Sequence, residues 1–421
     1  MIDLKIIRKD GTITDYNEQK IIEACSKSAS RALVNLTESD YTSVCNRVLE
    51  IIDEEDFEDS LIRVDEMHSI VEKSLLELFP KVGECYRQYR NYKLDFVHMM
   101  DDVYTKSQGI RYIGDNSNAN TDSTMISTQR SLIYGQLNKN LYQKFFLNKE
   151  ELQATNDGYF YVHDMKDRLD GVNCCLADIG AMLKDGFEMG NIWYNEPKSL
   201  DVAFDVISDI AMSMASQEYG GFTIPRVDTI LVPYAQKSYY IYIEEYYDVI
   251  DSYDSCGMNI PKMAQDYAMK KVRRDFEQGF QSWEYVFNTV GSSRGDYPFI
   301  AMSFGIDTST FGSMASEVAL EVRKNGQGKK GFKKPVLFPK LTFLYDNTLH
   351  GDGSDKYKLG WLFEKAIDCS NKTMYPDYLS LTGDGYIPSI YKKYGQVISL
   401  MGKCKSAHVK RSQTNRLLGV M

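Results

Sequence analysis

A chain of 421 residues can bury a large core and is long enough for two or three domains, and 43% hydrophobic with 26% charged residues is ordinary for a globular protein. A formal net charge of −10 argues against a nucleic-acid polymer as the main partner, because such binders need a basic face. The opening residues mix charges of both signs and no later run is long and apolar enough to span a bilayer, so neither a secretory signal nor a membrane anchor is expected.

Residues 3–17 are predicted to form a β-hairpin, with 4–9 and 12–16 flanking Asp10-Gly11, a favoured two-residue turn because both positions tolerate φ > 0. Asn17 then suits the N-cap of a helix beginning Glu18-Gln19-Lys20-Ile21-Ile22. Tyr41, Val44, Val48 and Ile51 recur at helical spacing, as do Val64, Met67, Val71, Leu75 and Leu78, a helix that Pro80 should end. A polar and aromatic helix is expected over 81–105. From about residue 106 the pattern changes to short strands, long helices and Gly/Asn-rich loops. Strands are predicted at 158–163, 299–304, and 335–338 running on to 341–345, with helices around 199–219 and 260–288. That alternation predicts an α/β architecture. The Gly-rich stretches 325–331 and 351–353 lack the Gly-Lys-Ser/Thr ending or strand-to-helix context of a phosphate loop and read as plain loops. Residues 403–421 hold five Lys or Arg and no acid, so they read as a solvated basic tail.

The eight cysteines, at 25, 45, 85, 174, 175, 256, 369 and 404, form no Cys-x-x-Cys pair. No zinc ribbon, thioredoxin-like site or other metal site is therefore expected, and scattered thiols without a secretory signal point to the reducing cytoplasm.

Ile7-Arg8-Lys9-Asp10-Gly11, then Asn17 and Lys20-Ile21, followed by Val64-Asp65-Glu66-Met67-His68 and Tyr86-Arg87-Gln88-Tyr89-Arg90, resemble the ATP-cone domain. That module is the allosteric nucleotide sensor of many ribonucleotide reductases. Taken alone, the cations read as solvated surface charges. The hairpin nevertheless places Arg8, Lys9 and Lys20 around one anionic point beside a helix start, with His68 available to a base or sugar. The resemblance implies an ATP/dATP effector site of Arg8, Lys9, Asn17, Lys20 and His68 in a domain of residues 1–95.

Gly158-Tyr159-Phe160-Tyr161-Val162-His163-Asp164-Met165 and Gly171-Val172-Asn173-Cys174-Cys175 open a second series. Ser216-Gln217-Glu218-Tyr219-Gly220-Gly221, Asn288-Thr289, Ser292-Ser293-Arg294-Gly295-Asp296, Phe338-Pro339-Lys340 and Met374-Tyr375-Pro376-Asp377 follow in order. Through residue 402 they resemble the catalytic domain of the anaerobic, glycyl-radical ribonucleotide reductases. The resemblance implies a ten-stranded α/β barrel of two parallel half-sheets, incomplete here, in residues 96–402. It also implies reduction of ribonucleoside triphosphates to deoxyribonucleoside triphosphates by glycyl and thiyl radical chemistry. Formate would be the reductant and a radical-SAM iron–sulfur protein the activator, on a homodimer. Cys174 or Cys175 is the strand cysteine, Cys174 being favoured, since alternation lets only one face the interior. Asn173 and His163 are candidates for positioning substrate.

Two features depart from that family. The finger loop should read Met-Gly-Cys-Arg, whereas this sequence reads Met401-Gly402-Lys403-Cys404 and passes into the basic tail. The glycyl-radical loop and a zinc-binding cysteine quartet have no counterpart in these residues. The expectation is an inactive fragment of the reductase, the alternative being a non-catalytic ATP/dATP-binding regulatory protein built on the cone.

Overall fold

The computed structural model describes residues 4–55, 61–112, 121–169, 171–175, 178–250, 259–289, 291–293, 295–395 and 397. They fall into two compact units, 1–105 and 106–421.

The first unit opens with β1 (Lys5–Ile7) and β2 (Ile13–Asp15), paired antiparallel as the hairpin pattern predicts. The turn differs from expectation. Arg8 N–H donates to the Thr12 carbonyl and Gly11 N–H to the Arg8 carbonyl, so the loop has three residues, with Gly11 left-handed at φ +80°. Asp10 fixes it by accepting from both the backbone N–H and the hydroxyl of Thr12. α1 (Glu18–Ala32) starts at Asn17, whose side-chain oxygen accepts from Gln19 N–H at 2.9 Å. α2 (Glu38–Glu55) buries Val44, Val48 and Ile51. β3 (Leu61–Arg63), too short to show a period, adds parallel to β1 and gives the order β2-β1-β3. α3 (Val64–Leu78) ends before Phe79, and Pro80 occupies the first position of α4 (Pro80–Tyr112), where a missing N–H costs nothing. One proline thus separates two helices, and α4 runs beyond the predicted 105.

The second unit begins with α5 (Ile126–Phe145) and α6 (Lys149–Asn156). Residues 158–163 are not a strand: Tyr159 and Tyr161 each expose more than four-fifths of their surface, and a strand needs a partner and a buried face. β4 (Val172–Cys175), α7 (Ile179–Asp185) and the small hairpin β5 (Phe187–Met189) and β6 (Ile192–Tyr194) follow. α8 (Leu200–Ala215) stops four residues short of the predicted end, and Glu218 already belongs to β7 (Glu218–Ile224). Then come α9 (Val227–Ile250), α10 (Ile260–Thr289), β8 (Ile300–Phe304) and α11 (Thr310–Asn325). β9 (Lys340–Tyr345), α12 (Gly360–Thr373), β10 (Asp377–Ser380) and α13 (Tyr386–Tyr394) complete the unit. Residues 335–338 stay outside β9, which begins directly after Pro339, a residue with no N–H for a ladder.

β4, β7, β8, β9 and β10 form one sheet in chain order, every pair parallel, with helical crossovers between them. The unit is thus mixed α/β, and among the described residues its parallel sheet has half the strands of the expected barrel. On one face Phe222, Ile224, Ile300, Met302, Phe304, Leu341 and Phe343 pack against Phe204, Phe276, Trp283, Val318 and Leu362 of the helices. On the other, Leu344 meets Leu381 and Val397 beneath α13. At the carboxyl end of β8, buried Asp228 accepts from the backbone N–H groups of Gly305, Ile306 and Asp307 at 2.8–3.1 Å. Buried His350 sits 2.8 Å from the Gly305 carbonyl through Nε2, and burial pulls its pKa below the usual histidine value.

Candidate functional site

The first unit holds a cavity of about 280 Å³. Arg8, Thr14, Asp15 and Tyr16 of the hairpin form one side, and Asn17, Lys20, Ile21 and Ala24 a second. Val64, Met67, His68 and Val71 of α3 close it with Tyr86 of α4. Residues 64, 67, 68 and 71 lie one helical turn apart, so a single face of α3 supplies that wall. Arg8, Asn17, Lys20 and His68, named from sequence, therefore meet at one place. Lys9 does not join them: it pairs with Asp65 at 3.7 Å, both side chains largely exposed. Lys9 is the first residue of the three-residue loop, beyond the last paired position of the hairpin, which adjacency to Arg8 in sequence concealed. His68 Nδ1 shares a 2.6 Å hydrogen bond with Tyr86 Oη, and burial, helped by the Arg90 charge, lowers its pKa. Burial also pushes the Tyr16 hydroxyl up to about 12, and its oxygen has no hydrogen-bond partner among the described residues. The apolar floor of Ile6, Ile21, Met67 and Val71 escaped a search for charges; the helical spacing along α3 was the available signal.

A larger cavity, about 640 Å³, lies in the second unit where β4 and β7 begin. Ser127, Arg130, Ser131, Tyr134 and Gly135 present one face of α5 to it, facing Asp167, Gly171, Val172, Ser216, Gln217 and Ser293. The 292–296 loop is held against the first turn of α5, where Thr128 Oγ1 donates to the Gly295 carbonyl. Gly295, at φ +85°, admits this approach, since an added Cβ would lie 2.4 Å from Thr128 N. The motif residues 171–172, 216–217 and 293 thus converge, while the α5 face was missed because its residues are spread over nine positions without a compact motif.

Val172 leads directly to Asn173 and Cys174. Two steps on β4, Val172 to Cys174, match three on β7, Glu218 to Gly221, so the ladder carries a bulge. Regular alternation would send Asn173 and Cys174 to opposite faces. Instead the Cys174 thiol lies 3.5 Å from Asn173 Oδ1. Gly220 makes the room: a Cβ there would stand 2.3 Å from Asn173 Oδ1 and 2.7 Å from Cys174 Sγ. Asn173 is exposed and Cys174 half-buried, unlike the buried thiols of Cys25, Cys45 and Cys369. The Cys175 backbone pairs with Phe222, and its side chain lies outside the described residues. His163 is half exposed, with Nδ1 against the Asp164 carboxylate, and neither it nor Cys174 is among the residues bounding the cavity. Arg294 and residues 401–421, with the Met401-Gly402-Lys403-Cys404 sequence and the basic tail, lie outside the described residues. Among the described residues no cluster of three or more His, Cys, Asp or Glu could hold a metal, and no helix is long and apolar enough to cross a membrane.

A hairpin-and-helix module with a cation-edged apolar cavity, followed by a parallel α/β sheet bearing a cysteine on its first strand, defines a ribonucleotide-reductase class of architecture. Residues 4–95 match the family model of the ATP cone domain, and residues 117–415 match that of anaerobic ribonucleoside-triphosphate reductase. The chain belongs to the anaerobic ribonucleoside-triphosphate reductase family. It is 31% identical over 417 residues to the anaerobic ribonucleoside-triphosphate reductase of Haemophilus influenzae, covering 96% of this chain and 54% of the relative. The Escherichia coli protein of that name is 30% identical, with 95% and 53% covered. That of Enterobacteria phage T4 is 34% identical over 270 residues, with 63% and 42% covered. The chain spans about half the length of these curated relatives. Among solved structures, the Thermotoga maritima anaerobic ribonucleotide reductase in complex with dATP and CTP is 14% identical, with a TM-score of 0.41 over 69% of this chain and 50% of that one.

Proposed function

We propose that this chain carries the effector site and the strand-cysteine part of the substrate site of an anaerobic, cytoplasmic ribonucleoside-triphosphate reductase. The reading rests on one observation above the others: Asn173 Oδ1 beside the Cys174 thiol, on the strand leading out of a hydroxyl-lined cavity. On this reading a ribonucleoside triphosphate lies in that cavity with its ribose toward Cys174. Cys174 donates hydrogen toward C2′ as the 2′-hydroxyl leaves, and Asn173 orients the sugar. The glycyl radical, when present in the working enzyme, supplies the capacity to remove hydrogen from the ribose. Formate as reductant, a radical-SAM iron–sulfur activating enzyme and a homodimer belong to the same proposal. Alkylation of Cys174 by iodoacetamide, mapped by mass spectrometry, should slow several-fold when CTP is added beside saturating ATP. Equal labelling with and without CTP would remove Cys174 from the substrate site.

The cone cavity fits ATP or dATP: its apolar floor suits a purine and Arg8 and Lys20 at its edge suit phosphates. Lys20→Ala should weaken ATP binding to the full chain by ~1–3 kcal/mol, the loss expected for a charge-assisted hydrogen bond. Lys9→Ala should cost less than ~1 kcal/mol, since that exposed lysine already pairs with Asp65 outside the cavity. Calorimetric titration measures both, and a larger loss for Lys9 than for Lys20 would reverse the assignment.

A further inference from the structure

Arg130 is exposed at the edge of the 640 Å³ cavity and has no ion-pair or hydrogen-bond partner among the described residues. Five other arginines are committed to carboxylates: Arg47 to Glu50, Glu54 and Glu77, Arg87 and Arg90 to Glu72, Arg273 to Glu317 and Glu321, Arg323 to Glu284. Ser127 and Ser131 flank Arg130 on the same face of α5, at three residues before and one after, and Ser293 faces them from the loop docked on that helix. A planar guanidinium with hydroxyl donors around it is a recognition set for phosphate oxygens, which accept several hydrogen bonds at once. At the other side of the cavity Gly171 and Val172 lead into β4. Cys174 lies two strand steps beyond Val172, about 7 Å at ~3.3 Å per residue. Asp167, the carboxylate of the cavity wall, would repel phosphate and suits a hydroxyl-bearing sugar instead.

We propose that Arg130, with Ser127, Ser131 and Ser293, is the phosphate anchor of the substrate site and sets the nucleotide's direction, triphosphate on α5 and ribose toward Asn173 and Cys174. The inference rests on the assignment of this cavity to substrate. It adds a selection rule: the site takes nucleotides by their phosphates before it reads the base. Arg130 is a positioning residue, remote from the reacting sugar carbon.

Equilibrium dialysis of the full chain with radiolabelled CTP tests it, with saturating unlabelled ATP filling the cone and inorganic triphosphate as competitor. In the wild type, inorganic triphosphate should displace CTP. Arg130→Ala should weaken CTP binding about tenfold or more, as expected for losing a charge-assisted bidentate contact, and should abolish that displacement. Arg130→Lys should restore part of both, since a point charge persists without the planar fork. Arg130→Ala should melt at the wild-type temperature because the side chain has no ion-pair or hydrogen-bond partner among the described residues. Unchanged CTP affinity in Arg130→Ala, or failure of inorganic triphosphate to displace CTP from the wild type, would overturn the anchor while leaving the substrate site standing. No CTP binding to the wild type at millimolar concentration would overturn both.

Discussion

Gly221→Ala is expected to destabilise the second unit severely. Gly221 sits on β7 at φ +99°, between Cys174 of β4 and the approach to β8. A Cβ there would lie 1.9 Å from the Phe299 carbonyl oxygen and 3.0 Å from the carbonyl carbon. Neither can retreat, because Phe299 leads straight into β8, every residue of which is buried. The substitution therefore combines a backbone conformation unfavourable to any side chain with a clash against fixed main chain, together at least ~3 kcal/mol. For a domain whose whole stability is about 5–15 kcal/mol, that is a large share. Gly11→Ala is the control: its φ is +80°, yet nothing lies within 4 Å of an added Cβ, so only the conformational penalty of ~1 kcal/mol applies. Thermal unfolding followed by circular dichroism should show a native-like melt for Gly11→Ala. For Gly221→Ala it should show a much lower melting temperature, loss of part of the helical signal, or an insoluble product. A Gly221→Ala chain that melts like the wild type would mean that β7 does not approach β8 in this way.

Much of this architecture was legible in sequence where a residue acts through its own local chemistry. Asn17 as an N-cap, the helical spacing of Val44, Val48 and Ile51, and the apolar run at 300–304 depend on neighbours within a few positions. Where the outcome depended on a distant partner, the sequence was silent. Aromatic residues 159–161 looked like a strand but found no sheet, while Leu61-Ile62-Arg63 became one because β1 lay ready to pair with it. The candidate sites divide in the same way. The cysteine strand and cone motif announced themselves as contiguous patterns. The room that lets Asn173 lie beside Cys174 comes from Gly220 on β7, some 45 positions later, and strand alternation read along β4 alone predicts the opposite. Arg130 belongs to a helix face whose partners, Asp167, Ser216 and Ser293, are distant in sequence, so it could only be recognised once they were assembled.

Asp228→Ala should be almost as damaging as Gly221→Ala, and Asp228→Asn measurably less so. Asp228 is fully buried at the start of α9, and its Oδ2 accepts from Gly305, Ile306 and Asp307 N–H and, at 3.3 Å, from the Ser316 hydroxyl. Oδ1 accepts from Thr229 N–H at 3.0 Å. Burial pushes the carboxyl upward, while the N–H groups of Gly305 and Asp307 draw it back. One side chain therefore satisfies the turn that leaves β8, where Gly305 adopts φ +119° and offers its carbonyl to His350. Alanine would remove the acceptor of three backbone donors and a hydroxyl, the Gly305 N–H and Ser316 hydroxyl buried and the Ile306 and Asp307 N–H groups part-buried, at ~1–3 kcal/mol for each that water does not reach. Asparagine keeps the shape and one oxygen for the three N–H groups, but turns its NH₂ toward the Thr229 donor and gives up the charge, for roughly 2–4 kcal/mol. Denaturant unfolding of the three proteins should give the order Asp, Asn, Ala in midpoint. Hydrogen exchange should speed first at Gly305, Ile306 and Asp307, whose only described acceptor is this carboxylate. If Asp228→Asn and Asp228→Ala are equally destabilised, shape rather than hydrogen bonding holds the turn. If neither variant loses stability, the turn is held by the His350 contact instead, and His350→Ala should then show the loss assigned here to Asp228.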